Sequence, residues 1–177
     1  SRSIGTAFPG LNEQYSMECW FGRTSFATSE EFLMWGSSGS PPDATIIISI
    51  DATGIMFSNG SAASEQHHVF DYTTGPTFVC VTYDEATTTR KAYVNGVLVL
   101  TLVRNTALFG GALDIATNTD HATGFFNGII DQPALYAITL RDLQVLDHWE
   151  TGKGGSVLYP ISDYLSTILA DSPISYW

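Results

Sequence analysis

Basic residues are scarce in this sequence. Seven Lys and Arg stand against 18 Asp and Glu, which gives a formal net charge of −11 over 177 residues. Nucleic acids and anionic membrane surfaces both attract clustered Lys and Arg, so the composition argues against either as a partner. An acidic chain of this kind is compatible with neutral ligands such as sugars and with divalent cations.

Cysteine and long apolar runs are scarce as well. Cys19 and Cys80 are the only two cysteines, and each lies inside an apolar, strand-like segment. We expect two buried free thiols, with a disulfide as the alternative, because a sequence does not supply the distances that a disulfide needs. Their spacing does not resemble a zinc site. No apolar run approaches 18 residues, so we expect no membrane-spanning helix.

What the chain does contain is a series of short apolar segments separated by turn residues. Asn95-Gly96, between two β-branched runs, predicts a hairpin with a type I′ turn. Many short strands with almost no helix predict an all-β fold of two antiparallel sheets. The predicted strands cover residues 15–22, 31–37, 44–51, 54–58, 67–72, 77–84, 90–94, 97–102, 112–117 and 124–139. In the strand 77–84, alternation places Val79, Val81 and Tyr83 on one face and Phe78, Cys80 and Thr82 on the other.

One short helix is predicted near the C-terminus. Thr139 is a candidate N-cap, Asp142 follows three residues later, and Gly152 stands where a helix often ends. The predicted apolar face is formed by Leu143, Leu146 and Trp149. This helix would seal one end of the sandwich. A second helical run is predicted at 162–170.

Four motifs occur in a recognisable order: YSMECWF, FVCVTYD, KAYVNGVLV and GFFNGIIDQPALYAITLRDLQVLDHWETG. Together they resemble the laminin-G-like, concanavalin A-like jelly-roll family, in its bacterial and phage surface-protein branch. The resemblance covers about residues 4–152 and implies a two-sheet antiparallel jelly roll with one short sealing helix. It departs at Pro76-Thr77, where the family usually has Trp-His. It departs also at the first strand, for which only SRSIGTAFPG remains, so we expect that strand to be shortened or donated from elsewhere.

The resemblance implies a domain at residues 1–152, followed at 153–177 by a linker and a docking tail or the start of another module. It implies a non-catalytic carbohydrate-binding or adhesion module of a larger virion-surface or secreted protein, such as a phage tail fibre with repeated modules. Expected partners are surface glycans and neighbouring modules or subunits. The alternative is a structural spacer or decoration module that binds only its neighbours, and a third is a glycoside-active enzyme.

The carboxylates do not favour an enzyme. Glycoside hydrolysis usually needs two carboxyl groups across one cleft. Glu30-Glu31 and Asp84-Glu85 are adjacent pairs, which a strand directs to opposite faces. There is no G-x-S-x-G nucleophile elbow, and His148 is expected to be a polar surface residue of the helix. We therefore predict that the chain is not an enzyme.

Two kinds of binding site are predicted. In the resembled family, the Asp of a "G.ID" motif often helps to hold a structural Ca²⁺, which implies Asp131 as a metal ligand, with a backbone turn as the alternative role. Sugar recognition requires planar polar side chains beside an aromatic ring, and Tyr72, Phe125 and Phe126 are candidate rings. The predicted ligand-binding residues of the loop rim are Asn59, His67, Asn118, Asp120 and His121, with Asp43 and His68 in the same loop set. The alternative is that these loops are polar only because they are exposed.

The last residues, SPISYW, carry more apolar surface than a free tail should expose. They resemble the opening of a further module of the same family. We therefore expect this tail to dock as a strand, in a following module or in a neighbouring subunit by strand exchange.

Overall fold

A computed structural model describes residues 13–37, 45–58, 66–103, 112–117, 124–153, 168–171, 173 and 175–176. The chain divides into two compact units. The first comprises residues 1–13, 21–76 and 104–130, and the second comprises 14–20, 77–103 and 131–177. The described residues form one five-stranded sheet, one six-stranded sheet, a helix of twelve residues and a helical turn at 168–170, which confirms the all-β prediction.

The boundaries of most elements agree with the predicted ones, but the strand predicted at 67–72 ends at residue 69, and the strand predicted at 124–139 covers only Ile129–Tyr136. The strands are β1 (Tyr15–Gly22), β2 (Glu31–Ser37), β3 (Thr45–Ile50), β4 (Gly54–Ser58), β5 (Gln66–Val69), β6 (Thr77–Asp84), β7 (Thr89–Val94), β8 (Val97–Val103), β9 (Ala112–Ile115), β10 (Ile129–Tyr136) and β11 (Ser175–Tyr176). The helix α1 spans Asp142–Lys153. No helix in the described part of the chain is long and apolar enough to cross a membrane.

The five-stranded sheet has the order β5-β4-β3-β2-β9. Its register aligns Met34, Ile48 and Phe57 across three neighbouring strands, and all three side chains are buried. Such cross-strand rows of apolar residues fix the register, because a slip of one residue would turn the whole row to the other face. Ser49 points the other way, and its hydroxyl donates to Glu30 Oε1 at 2.8 Å.

The six-stranded sheet has the order β11-β10-β1-β6-β7-β8. The turn between β7 and β8 has φ angles of 50° at Asn95 and 74° at Gly96, which confirms the type I′ hairpin. Asn95 also ties the turn to β6: its N–H donates to the Phe78 carbonyl, and its Oδ1 accepts from the Phe78 N–H, both at 2.9 Å.

The helix packs on one face of the six-stranded sheet. The buried cluster between them contains Trp20, Phe78, Cys80, Tyr93, Ala134, Tyr136, Leu140, Val145 and Ile168, with Trp149 packed against it. Phe78 and Cys80 share this face, whereas Tyr83 stacks on Tyr15 outside the cluster, so the predicted division of β6 is confirmed. The prediction that Leu143, Leu146 and Trp149 form the apolar face of the helix is wrong for the two leucines. Leu143 is 78% exposed and Leu146 is 38% exposed, whereas Val145 and His148 are fully buried.

Both ends of α1 differ from the prediction. The Thr139 hydroxyl donates to the Tyr83 carbonyl at 2.6 Å, so Thr139 does not cap the helix. Arg141 occupies the N-cap position instead, and its N–H donates to Gln144 Oε1 at 3.0 Å, which is half of a capping box. Gly152 does not end the helix but lies within its last turn. A Cβ atom there would lie 2.5 Å from Trp20 Cζ2, so glycine is required for the helix to approach this ring.

The C-terminal residues contact the same sheet. Residues 168–170 are helical, in agreement with the end of the predicted run at 162–170, and Ile168 is fully buried. Ser175–Tyr176 pairs with β10 in antiparallel register, so this segment docks as a strand on its own chain rather than on a following module or a neighbouring subunit. The predicted domain boundary after residue 152 stays a prediction, and the segment SRSIGTAFPG lies outside the described residues.

Cys19 and Cys80 are free and buried, as expected.

Candidate functional site

One face of the β6–β7 hairpin changes from apolar to polar along its length. Phe78 and Cys80 lie in the cluster beneath α1. Further along the same face, Thr82 pairs with Lys91 and Asp84 pairs with Thr89 across the two strands. Because side chains alternate along a strand, these four polar residues share the face that α1 covers at its other end.

This polar end of the face forms the floor of an open cleft of about 710 Å³. The wall of the cleft is the segment that leads into α1. The cleft is lined by Gln14, Thr82, Asp84, Thr87, Thr89, Lys91, Thr139, Leu140, Arg141, Asp142 and Leu143. Its volume lies within the range of small-molecule binding sites, about 300–1,000 Å³.

A chain of hydrogen bonds crosses the cleft. The Tyr93 hydroxyl donates to Asp142 Oδ1 at 2.7 Å. Lys91 Nζ donates to the same oxygen at 2.6 Å. The hydrogen bonds from Lys91 and Tyr93 hold the pKa of Asp142 below its usual range. Burial, together with the bond to Asp142, raises the pKa of Tyr93, so the phenol stays protonated and Asp142 stays ionised.

Local hydrogen bonds also orient the other charged groups of the cleft. Asp84 accepts from the Ala86 N–H at 3.0 Å and from the Thr87 hydroxyl at 2.8 Å. Arg141 Nε donates to Gln144 Oε1 at 3.0 Å, and the same oxygen accepts from the Arg141 N–H. The polar groups are therefore held in place before any ligand arrives, which lowers the entropic cost of binding.

A second polar group is buried between α1 and the sheet. His148 Nδ1 lies 3.0 Å from Glu18 Oε2 of β1, and His148 Nε2 lies 2.8 Å from Asp171 Oδ2. Tyr136 donates to Glu18 Oε1 at 2.9 Å, and Gln144 Nε2 donates to Asp171 Oδ1 at 2.7 Å. An imidazolium ion donates through both nitrogens and so satisfies both carboxylates. We call Glu18, His148 and Asp171 the buried triad.

The prediction that His148 is a surface residue is wrong, because its side chain is fully buried. Burial alone would favour the neutral ring, but the hydrogen bonds and charges of Glu18 and Asp171 outweigh it and raise the pKa of His148 above its ordinary value. A signal for this was present in the sequence. Glu18 is the one charged residue in the largely apolar strand YSMECWFG, and such a group needs a buried partner.

The stability of the protein should therefore fall as the pH rises above neutral. The raised pKa means that folded His148 binds its proton more tightly than the unfolded chain, where the pKa is about 6.5. The stabilisation is complete below about pH 6.5 and is lost as the pH passes through the native pKa. It amounts to about 1.4 kcal/mol for each tenfold difference in proton affinity. Urea unfolding between about pH 5.5 and 9 measures this slope, and H148Q should remove it. Equal slopes in the two proteins would contradict the assignment.

Most residues of the predicted loop rim lie outside the described residues: Asp43, Asn59, Asn118, Asp120 and His121. His67 lies on β5 and is exposed, and its Nδ1 is 3.5 Å from Asp51 Oδ2. Its neighbour His68 is only partly exposed. The structure therefore does not test whether the rim residues form one site.

The three candidate aromatic platforms differ in exposure. Tyr72 is fully buried, and its hydroxyl donates to the Asp51 carbonyl at 2.5 Å and accepts from the Ala27 N–H at 2.8 Å. It is thus a structural residue and not a platform. Phe126 is partly buried and meets Phe21 edge to face. Phe125 is 56% exposed and is the one of the three whose ring is open to a ligand.

Asp131 lies on β10 and is exposed. Gln132 follows it with a φ of 52°, so the strand is distorted directly after the predicted metal ligand. Within the described ranges, no group of three or more His, Cys, Asp or Glu side chains is placed to hold a metal ion. Calcium at Asp131 would therefore depend on backbone carbonyls or on residues outside those ranges, and it stays a prediction.

Comparison with known proteins supports the fold. A family model described as the concanavalin A-like lectin/glucanases superfamily matches residues 4–146. No curated protein sequence matches the chain. The predicted resemblance and the predicted two-sheet jelly roll are both confirmed.

Several solved structures are similar in fold to this chain. The CBM40 domain of the Ruminococcus gnavus IT-sialidase, bound to α2,3-sialyllactose, is 17% identical with a TM-score of 0.61, over 78% of this chain and 83% of that chain. Domain 4 of AbnA, an extracellular GH43 arabinanase from Geobacillus stearothermophilus in complex with arabinotriose, is 22% identical with a TM-score of 0.62, over 78% and 66%. A Trypanosoma rangeli sialidase is 12% identical with a TM-score of 0.65, and the match spans 80% of this chain but 23% of the enzyme. At these identities the similarity establishes the fold.

Proposed function

Because the chain belongs to the concanavalin A-like lectin/glucanases superfamily, we propose that it is a non-catalytic carbohydrate-binding domain whose site is the cleft on the β6–β7 face. The polar lining of this cleft is the observation that supports this site. Two similar domains were solved with sialyllactose and with arabinotriose, which supports a glycan as the class of ligand.

The groups that line the cleft suit sugar hydroxyls. Each sugar hydroxyl both donates and accepts a hydrogen bond, and so does each threonine hydroxyl. Of the four threonines that line the cleft, Thr82 is buried, whereas Thr87, Thr89 and Thr139 are exposed or half-buried. The ammonium of Lys91 supplies donors, and the carboxylates of Asp84 and Asp142 supply acceptors. Leu143, which is 78% exposed, adds apolar surface for the C–H groups of a sugar ring.

The protonation state of the cleft supports binding rather than hydrolysis. A glycosidase needs one carboxyl group with a raised pKa that can protonate the leaving oxygen. Asp142 has the opposite property, since Lys91 and Tyr93 lower its pKa. It acts as a permanent acceptor, and the cleft binds a glycan without cleaving it.

A glycan array tests this function. The wild-type chain, displayed in several copies, should bind at least one class of glycan, since weak single sites gain strength through multivalency. K91A should lower the signal at least tenfold, because it removes one of the two cations that line the cleft, whereas K153A serves as the matched control on the surface of α1. An array with no bound glycan would contradict the proposal and favour the structural spacer.

The loop rim is a separate candidate for the same function. Alanine at Asn118, Asp120 and His121 together should abolish glycan binding if the rim, with Asn59 and His67, forms the site. The melting temperature should stay nearly unchanged, because the sequence predicts polar loops at these positions and surface substitutions usually change stability little. If binding survives this triple change but is lost in K91A, the cleft is the site and the rim is not.

Structural calcium at Asp131 is a further proposal. An ion that binds only the folded state stabilises it by mass action, so EDTA should lower the melting temperature and added Ca²⁺ should restore it. D131A should be insensitive to both. An unchanged melting temperature of the wild type in EDTA would exclude the site.

We also propose an extracellular or virion-surface location, within a larger protein whose neighbouring modules or subunits contact this domain. A carbohydrate-binding domain meets glycans outside the cell, which supports this location. Immunolabelling of intact cells or particles with antibodies against the domain tests it, and exclusive labelling of lysed cells would contradict it.

A further inference from the structure

The charges of the cleft balance. Lys91 and Arg141 supply two cations, and Asp84 and Asp142 supply two carboxylates. The chain around them carries a net charge of −11. A ligand that enters the cleft therefore meets no excess of positive charge, and an anionic ligand is repelled by the protein as a whole.

Lys91 is one of the two cations that line the cleft, and its charge is already paired with Asp142. Its Nζ donates to Asp142 Oδ1 at 2.6 Å, and Tyr93 donates to the same oxygen. A carboxylate on a sugar would have to displace Asp142 from Lys91, or approach Lys91 and Asp142 together. Because hydrogen bonds lower the pKa of Asp142, protonation does not relieve this repulsion at neutral pH.

A neutral hydroxyl does not meet this obstacle. Lys91 retains N–H donors beyond the one used on Asp142, and Asp142 retains its second carboxylate oxygen as an acceptor. One sugar hydroxyl can accept from Lys91 while it donates to Asp142, so the ion pair stays intact and both groups gain a partner. Neighbouring threonine hydroxyls can bind the next hydroxyl in the same way.

We propose that the cleft selects neutral oligosaccharides against acidic ones, and that Asp142 determines this selection by neutralising Lys91. The inference rests on the proposed function and specifies its ligand class. It also makes Asp142 a specificity-determining residue, because its charge, rather than its shape, excludes sialic and uronic acids.

An array of neutral oligosaccharides, each beside its sialylated or uronic-acid counterpart, tests the inference with the wild type, D142N and D147N. Asn keeps the size of Asp142 and removes its charge, which leaves Lys91 uncompensated. D147N removes the same charge from the exposed face of α1 and is the matched control. The wild type and D147N should prefer the neutral member of each pair, and D142N should raise the ratio of acidic to neutral signal at least tenfold.

Salt supplies a second readout. The acidic signal of D142N should decrease as NaCl rises from about 0.05 to 0.5 M, because screening weakens an interaction between exposed charges. The inference is overturned if the wild type binds acidic members as well as neutral ones, or if D142N leaves the ratio unchanged. Both results would leave glycan binding itself intact. An array without any bound glycan would instead remove the proposed function and this inference with it.

Discussion

Replacing Glu18 by alanine should lower the free energy of unfolding by about 3–5 kcal/mol, the usual cost of removing one partner from a buried ion pair. Glu18 and His148 are both fully buried, and the pair includes two contacts of 3.0 and 3.1 Å. The alanine variant would leave the imidazolium without its main counter-charge. It would also remove the Glu18 oxygen that accepts from the Tyr136 hydroxyl.

Denaturant unfolding of E18A and E150A measures this effect. Glu150 lies on α1 as well and contacts Lys153 at 2.6 Å, but both side chains are about half exposed. E150A should therefore cost less than about 1 kcal/mol. A loss of the same small size in E18A would show that the buried triad contributes nothing beyond a surface pair.

Ile168→Ala should lower the free energy of unfolding by about 2–5 kcal/mol, as a large-to-small change in a core does. Ile168 is fully buried in the cluster beneath α1, although it lies 16 residues beyond the predicted end of the domain at residue 152. Truncating it would leave a cavity in that cluster, which also contains Trp20 and Val145.

Leu169 provides the control, since it is the next residue and is 53% exposed. L169A should change the free energy of unfolding by less than about 1 kcal/mol. Equal effects of the two variants would mean that this segment does not pack on the domain. A large effect in I168A alone would place the C-terminal segment inside the folding unit and would move the predicted domain boundary past residue 168.

The strands were predictable because their signals are local. Alternation of apolar residues and the Asn95-Gly96 turn depend on neighbours in the sequence, and both agree with the structure. The polar floor of the cleft could also have been derived from alternation. Thr82 must share a face with Phe78 and Cys80, so one face of β6 had to change from apolar to polar.

The face of the helix was not predictable in the same way. Leu143 and Leu146 have the spacing of an apolar face, yet both remain exposed, while His148 is buried. The reason is the partner of His148, which is 130 residues away in the sequence. A charged histidine is stable in the interior only where a carboxylate pairs with it, and no local sequence pattern identifies such a partner. Asp142 likewise looked like part of a helix cap, and its contact with Lys91 depends on how α1 lies on the sheet.

The two cysteines occupy neighbouring strands of one sheet but opposite faces of it. Cys80 lies in the cluster beneath α1 with Trp20, whereas Cys19, the residue before Trp20, must point the other way. Their sulfur atoms cannot join without breaking the ladder between β1 and β6. Burial also raises the pKa of both thiols, so neither forms the reactive thiolate at neutral pH. The domain can thus keep reduced cysteines in an oxidising medium, and alkylation of either sulfur would report the opening of the fold.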